Sequence, residues 1–388
     1  MINFLNNDKT SSSPSGRLGG VGAGGGVYFS PGRVNLIGEH LDYNGGNVMP
    51  FAIDMGIKAT VSQNREQKIK LSSATHENQF EFDINTLPNF SHENHWANYP
   101  IGILKRLQHD GIQIPSLTIT FESNLPEGSG LSSSAAIEVL TAFIILNQLK
   151  LNIDRKHIAL LCQKVENEFI GVNCGIMDQF AVANCIKNNV LFLNCNTLEL
   201  EQVPFDLDDY NIVIMNTNKP RSLIKSAYNE RKASCDESLK ILQQSKPMEF
   251  LADAAMEDLS LLKDEVLRKR TRHVVSEQLR VLQTKKYLEL GDLHTVGRLL
   301  TASHHSLQYD YEVSGIELDT LVECAIEQQG CLGARMTGAG FGGCAIALVQ
   351  EKYVARFSET VSAHYLKTTG LHCSMYISES SDGVKSIK

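Results

Sequence analysis

The string Leu125-Pro126-Glu127-Gly128-Ser129-Gly130-Leu131-Ser132-Ser133-Ser134-Ala135-Ala136 runs directly into an apolar, helix-forming stretch over 137–146, and this junction constrains the fold of the 388-residue chain more than any other segment. Small residues let backbone N–H groups approach an anion, and a helix start adds partial positive charge, so the junction reads as a phosphate cradle. It is not a Walker A loop, which ends in Gly-Lys-Ser/Thr, because no lysine follows Gly130. The plain alternative is a serine-capped helix after a glycine turn. Three serines and two glycines converging on one helix start favour the cradle.

A second string, Ser30-Pro31-Gly32-Arg33-Val34-Asn35-Leu36-Ile37-Gly38-Glu39-His40-Leu41-Asp42-Tyr43-Asn44-Gly45-Gly46, packs Arg, Glu, His and Asp within ten residues. Sugar hydroxyls need several fixed donors and acceptors at once, and a cation beside two carboxylates and an imidazole supplies them. A surface turn with local ion pairs would explain Gly-Glu-His alone; the full string points to a polyol site. A third, Gly333-Ala334-Arg335-Met336-Thr337-Gly338-Ala339-Gly340-Phe341-Gly342-Gly343-Cys344, is a second glycine loop running into a buried strand, which by itself also suits a tight turn. Gly20-x-Gly22-x-x-Gly25 fits the dinucleotide fingerprint, but that motif needs an apolar strand before it and a helix after it. Here Thr10-Ser11-Ser12-Ser13-Pro14 precedes and Val27-Tyr28-Phe29-Ser30-Pro31 follows, so a Rossmann unit is rejected.

With 36 basic against 44 acidic residues the net charge is −8, which argues against a nucleic-acid binder. The one basic run, Arg268-Lys269-Arg270-Thr271-Arg272-His273, is expected to be a solvated helix face. Nine cysteines without a C-x-x-C pair suit reduced, mostly buried thiols rather than disulfides or zinc. No apolar run approaches the roughly 20 residues that span a bilayer, and the N-terminus lacks the basic and apolar regions of a signal peptide. A soluble, cytoplasmic protein with no membrane or nucleic-acid partner is expected.

Alternation predicts strands at 68–71, 80–84 and 117–121, in a manner suited to an antiparallel sheet with one buried face. Ile158, Leu161, Cys162, Val165 and Phe169 follow a helical period, predicting an amphipathic helix over 158–169. Strands are also expected at 211–215 and 344–349, with a charged, helical region from about 222 to 330 between them. Strands and helices mix without regular βαβ alternation, so an α+β fold is expected. Its divisions are a flexible Ser/Gly-rich tail at 1–26, an N-terminal domain at 27–205 and a C-terminal domain at 206–388.

The two glycine loops and the sugar-type cluster together resemble the small-molecule kinases named for galactose, homoserine, mevalonate and phosphomevalonate, and among them the galactokinases. The resemblance runs from about Tyr28 to the C-terminus, and its most specific part is the segment Gly32 through Gly46. It implies a two-domain kinase fold, the N-terminal domain like the second domain of ribosomal protein S5 and the C-terminal one ferredoxin-like. It also implies Mg²⁺-dependent phosphorylation of galactose at C1 by ATP, in a monomer or weak homo-oligomer. Asp178, in Gly171-Val172-Asn173-Cys174-Gly175-Ile176-Met177-Asp178, would be the base and Arg33 its partner at the reacting centre. Glu39, His40, Leu41, Asp42 and Tyr228 would meet the sugar. Ser73 and Gly128, Ser129, Gly130, Leu131, Ser132, Ser133 and Ser134 would bind ATP, with Ser134 and Glu166 on Mg²⁺. A kinase acting on N-acetylgalactosamine and a non-catalytic galactose sensor are the alternatives. Leu41 and Asn47 stand where relatives carry Thr and His, which touches the rim of the sugar site.

Overall fold

The chain runs through β1 (Gly26–Asn35), β2 (Asn47–Val48), β3 (Pro50–Gln63), β4 (Lys68–Ser73) and β5 (Phe80–Asp83). It continues through α1 (Asn98–His109), β6 (Leu117–Ser123), α2 (Ser133–Gln148), α3 (Arg155–Val165), α4 (Met177–Asn184), β7 (Asn189–Asn194) and β8 (Leu200–Pro204). Then come β9 (Tyr210–Asn216), α5 (Ile224–Leu242), α6 (Glu265–Glu289), α7 (Leu293–Ser306), α8 (Ile316–Ile326), β10 (Cys331–Thr337) and β11 (Cys344–Gln350), closed by α9 (Val354–Thr369), β12 (Ser374–Ser378) and β13 (Lys385–Ile387). This computed structural model describes residues 25–76, 78–152, 154–220 and 224–387; most of the tail expected at 1–26 lies outside them.

Three sheets organise these elements, ordered β13-β1-β3-β6-β4-β5, β10-β11-β9-β12 and β2-β7-β8. The mixture is α+β, as the sequence suggests. In β6 the apolar residues Leu117, Ile119 and Phe121 alternate inward and are buried. Pairing is antiparallel except between β4 and β6, which are parallel. Alternation reports which face is buried, not the direction of the neighbouring strand, so that departure was not visible beforehand. No disulfide links any of the nine cysteines, and among the described residues no helix is long and apolar enough to cross a membrane.

The apolar stretch at 137–146 lies in a helix, as expected. Every residue of α2 from 135 to 146 is buried, because the helix packs against β1, β3, α1, α3 and α4. The helix expected over 158–169 stops at Val165 and continues as one π-helical turn, Glu166–Ile170. The extra residue in such a turn re-aims its side chains, and it leaves Glu166 buried. The basic run is also not a simple solvated face. Helical period turns Arg270, Thr271 and His273 inward on α6, where all three are buried. There Arg270 pairs with Glu312 at 2.7 Å and Arg272 pairs with Asp310 at 3.0 Å, fixing the turn Leu307–Tyr311.

Candidate active site

The phosphate loop is tied to β1 before it enters α2. The N–H of Arg33 donates to the Leu131 carbonyl at 3.2 Å, and Arg33 Nη1 donates to the Gly130 carbonyl at 2.8 Å. Gly32 permits this approach, since a Cβ there would lie 2.6 Å from Leu125 Cδ2 and 2.7 Å from the Leu131 oxygen. Ser132 occupies the N-cap position of α2 in a left-handed conformation (φ 63°, ψ 44°) and makes no side-chain cap bond. Its hydroxyl donates instead to Asp178 Oδ2 at 2.6 Å. The helix start thus lacks the usual serine cap on its first N–H groups, which keeps it receptive to an anion.

Asp178 lies in the first turn of α4. Arg33 grips it with two nitrogens, Nε to Oδ1 at 2.8 Å and Nη2 to Oδ2 at 2.9 Å. The guanidinium side chain is 5% exposed and the carboxylate side chain 31% exposed, so the carboxylate still faces open space. That space is a cavity of about 420 Å³ lined by Arg33, Glu39, His40, Asp42, residues 172–175, Met177, Asp178, Tyr228, Asn229, Gly338 and Ala339. Five residues singled out in the first half of the chain and Tyr228 therefore share one wall system. Leu41 does not line it; its side chain is fully buried between its two polar neighbours.

Burial and neighbouring charge shape the cavity. Asp42 is pushed up to about 7 by burial and by the charge of Asp178. Gly175 makes room for it, since a Cβ at that position would lie 1.8 Å from Asp42 Oδ2. His40 (φ 64°) is lowered to about 3 by burial and by the nearby cationic groups, so its imidazole is neutral. Behind it runs a chain of hydroxyls: His40 Nδ1 meets Tyr43 Oη at 2.8 Å, and Tyr43 Oη meets Tyr311 Oη at 2.8 Å. Tyr228 stands against His40 and Tyr43, ring centroids 5.8 and 5.2 Å away. Glu39 is buried and held by Asn35 Nδ2 at 2.7 Å, Arg335 at 2.6 Å and the Gly338 N–H at 2.8 Å.

On the other flank of the phosphate loop a cavity of about 170 Å³ is lined by Ser73, Thr75, His76, Trp96, Tyr99, Phe121, Ser133, Ser134 and Ile137 among others. Trp96 meets Phe121 edge-on at 5.7 Å, and its indole N–H is buried without a partner. The Ser73 hydroxyl accepts from the N–H groups of Thr75 and His76 at 3.1 and 3.2 Å, shaping the turn at the cavity mouth. Ser134 hydrogen-bonds Glu166, whose carboxyl is pushed up to about 7 by burial and by Asp178. Gln179 Nε2 donates to Glu166 Oε2 at 2.7 Å. Glu138, one turn after Ser134 on α2, is fully buried with both oxygens unpartnered, and burial beside Glu166 raises it well above the carboxylate range.

Several site residues escaped the sequence reading. Trp96 and Tyr99 carried one usable signal, that Trp96 is the single tryptophan of the chain. Tyr43, Tyr311, Glu277 and Thr337 carried none that outweighs ordinary packing. Arg335 was visible as a charged residue in a strand that is otherwise apolar and small.

Comparison with known proteins agrees with this geometry. Residues 98–185 match the model of the GHMP kinases N terminal domain, residues 284–367 that of the GHMP kinases C terminal, and residues 19–63 the galactokinase galactose-binding signature. Galactokinases of Enterococcus faecalis and Clostridium beijerinckii are 47% and 45% identical, each over 93% of this chain and over 95% and 94% of their own. The crystal structure of Lactococcus lactis galactokinase complexed with galactose superposes with a TM-score of 0.90 at 43% identity, covering 94% of this chain and 95% of that one. Methanococcus jannaschii mevalonate kinase, at 20% identity and a TM-score of 0.65 over 92% of this chain and 98% of its own, shares the fold. The chain belongs to the galactokinases, within the GHMP kinases.

Proposed function

We propose that the chain phosphorylates α-D-galactose at its C1 hydroxyl with ATP, giving α-D-galactose 1-phosphate and ADP, the opening reaction of galactose catabolism. One contact set carries the assignment: Asp178, a carboxylate facing a cavity large enough for a sugar, is bound at once by Arg33 of β1 and by Ser132 of the phosphate loop. Phosphoryl transfer demands positioning and charge neutralisation more than covalent chemistry, and this set joins the acceptor site to the phosphate site.

In this reading the sugar lies in the larger cavity against Glu39, His40, Asp42 and Tyr228, with C1 toward Asp178. Asp178 accepts or orients the C1 proton, and Arg33 fixes the carboxylate while placing positive charge beside the transferred group. The nucleotide phosphates rest on 128–134, and its base enters the smaller cavity beside Trp96 and Tyr99, near Ser73. Ser134 and Glu166 fit a Mg²⁺ ion: they are adjacent hard oxygen donors, and a cation relieves the crowding that raises Glu166. Among the described residues no group of three or more His, Cys, Asp or Glu side chains is disposed to hold a metal, which suits an ion that takes its remaining ligands from water and phosphate. When bound, Mg²⁺ would neutralise phosphate charge. We place the division between two domains near residue 205, with β13 crossing back to pair with β1, and take the protein to be a cytoplasmic enzyme, a monomer or weak homo-oligomer.

Asp178→Asn should lower kcat by about a hundredfold or more, while titration calorimetry still detects galactose. Wild-type turnover in that variant would remove Asp178 from the proton-handling role.

A further inference from the structure

The second glycine loop touches the larger cavity only through Gly338 and Ala339, yet it supplies most of what holds Glu39. On Oε2 the carboxylate receives Asn35 Nδ2 at 2.7 Å and pairs with Arg335 Nη1 at 2.6 Å. On Oε1 it receives the Gly338 N–H at 2.8 Å and lies 3.2 Å from the Thr337 hydroxyl. That hydroxyl has one hydrogen and lies closer, at 3.0 Å, to the Asn35 carbonyl. With its hydrogen given there, Oε1 keeps one acceptor position for a ligand.

Arg335 is 0% exposed and does more than neutralise Glu39. The same Nη1 lies 3.2 and 3.1 Å from the Asn35 and Leu36 carbonyls. Its Nη2 stands 3.7 Å from Glu277 Oε1. Glu277 is separately secured by Arg280 at 2.8 Å, by the Ser303 hydroxyl at 2.6 Å and by the Gly38 N–H at 3.0 Å. The guanidinium is therefore held between two buried carboxylates and two carbonyls, and it presents its shortest contact to Glu39. All of its contacts in hydrogen-bond range fall on Nη1, since Nε and Nη2 are buried without a hydrogen-bond partner; a lysine could supply the charge but would have to bring its ammonium to that one point on a flexible stem.

We propose that Arg335 is a positioning residue of the sugar site: it fixes the Glu39 carboxylate so that the remaining acceptor position on Oε1 meets one particular substrate hydroxyl, and discrimination at that hydroxyl is set from the second glycine loop. This rests on reading the larger cavity as the galactose site. A site built to accept from a hydroxyl rejects the analogue that lacks it, because the buried acceptor is left unpaired.

The test measures galactose and its monodeoxy analogues against wild type, Glu39→Gln, Arg335→Lys and the double variant, by nucleotide-free titration calorimetry and by kcat/KM. Wild type should lose about tenfold or more for one deoxy position, and Glu39→Gln should flatten that penalty. Arg335→Lys should flatten the same penalty, leaving the other positions and the KM for ATP near wild type, and the double variant should be no worse than Glu39→Gln. A wild-type penalty pattern in Arg335→Lys overturns the proposal, as does an equal loss at every position. Arg335→Gln, which keeps amide donors, is measured in parallel; if neither variant folds by circular dichroism, Arg335 is a structural residue and the proposal fails. If wild type binds no galactose, or Glu39→Gln leaves every penalty unchanged, the sugar-site reading itself fails, an outcome distinct from those.

Discussion

A methyl group at Gly175 would occupy the place of the Asp42 carboxylate, 1.8 Å from Oδ2. Its backbone is not in the left-handed region that disfavours L side chains, so Gly175→Ala separates loss of space from loss of conformational freedom. The variant should fold and melt near wild type but displace Asp42, lowering kcat/KM for galactose about tenfold or more, the scale of a lost hydrogen bond to a charged group. Unchanged galactose kinetics would mean that Asp42 makes no sugar contact. Arg33, Glu39, His40 and Asp42 could be picked out of the sequence because chemistry-bearing residues stood unusually close together between glycines. Arg335 could not be tied to Glu39 the same way: Gly338, in its own motif, meets Glu39 at a separation of 299 positions. A single sequence shows spacing along the chain, and such a pairing is a property of the fold.

At the scale of elements, two helices end in a π-helical turn, and both turns deliver a residue to the site. Glu166–Ile170 presents Glu166 to Ser134, and Leu307–Tyr311 places the Tyr311 hydroxyl on Tyr43 behind His40. Hydrophobic periodicity located the first of these helices but not its final turn, because one added residue changes where side chains point without changing which are apolar. The smaller cavity is an assembly of elements too, with Trp96 ahead of α1, Phe121 on β6 and Ser134 on α2. Trp96→Ala should raise the KM for ATP by roughly tenfold, since stacking of an aromatic side chain on a base contributes about 1–3 kcal/mol, and leave the KM for galactose within about twofold. If the galactose KM moves instead, the base does not bind there.

Across the whole molecule, buried groups pull the acid response of stability in opposite directions: Asp42 and Glu166, raised to about 7, and Glu138, raised well above the carboxylate range, keep protons that the unfolded chain gives up near pH 4 and so favour the fold as pH falls toward that value, while buried imidazoles oppose them. Burial lowers His40 to about 3 and His273 to about 4. The unfolded chain takes up protons near pH 6.5 at these two residues while the folded chain does not, so at these two positions unfolding binds protons and their contribution to stability rises with pH between about 4 and 6.5. Glu277 adds to this at lower pH. Despite burial it is drawn down to about 2 by Arg280, Arg335 and His273, and its contribution, complete above about 4.5, is lost as pH falls toward 2. Because the two sets oppose each other, the readable quantity is a difference: between pH 6.5 and 4 the melting temperature of His273→Asn relative to wild type should climb as pH falls, the imidazole being worth up to about 1.4 kcal/mol per pH unit. A difference that stays constant with pH would show that His273 takes up its proton in the folded protein as readily as in the unfolded chain. The α+β character and the strands β4, β5, β6, β9 and β11 were legible in sequence because alternation or an apolar run marks them locally; the parallel β4–β6 pair and the return of β13 to β1 depend on contacts between distant segments.

Ser132 offers a lesson for redesign. Its hydroxyl is shared with Asp178 instead of capping its own helix, so in the proposed mechanism the nucleotide cradle and the proton acceptor are one mechanical part. A library that varies 128–134 in search of a new nucleotide donor will also shift the pose and hydrogen bonding of the carboxylate facing the sugar. Donor preference and turnover are therefore expected to drift together in such a library, and a successful redesign of one will have to be selected alongside the other.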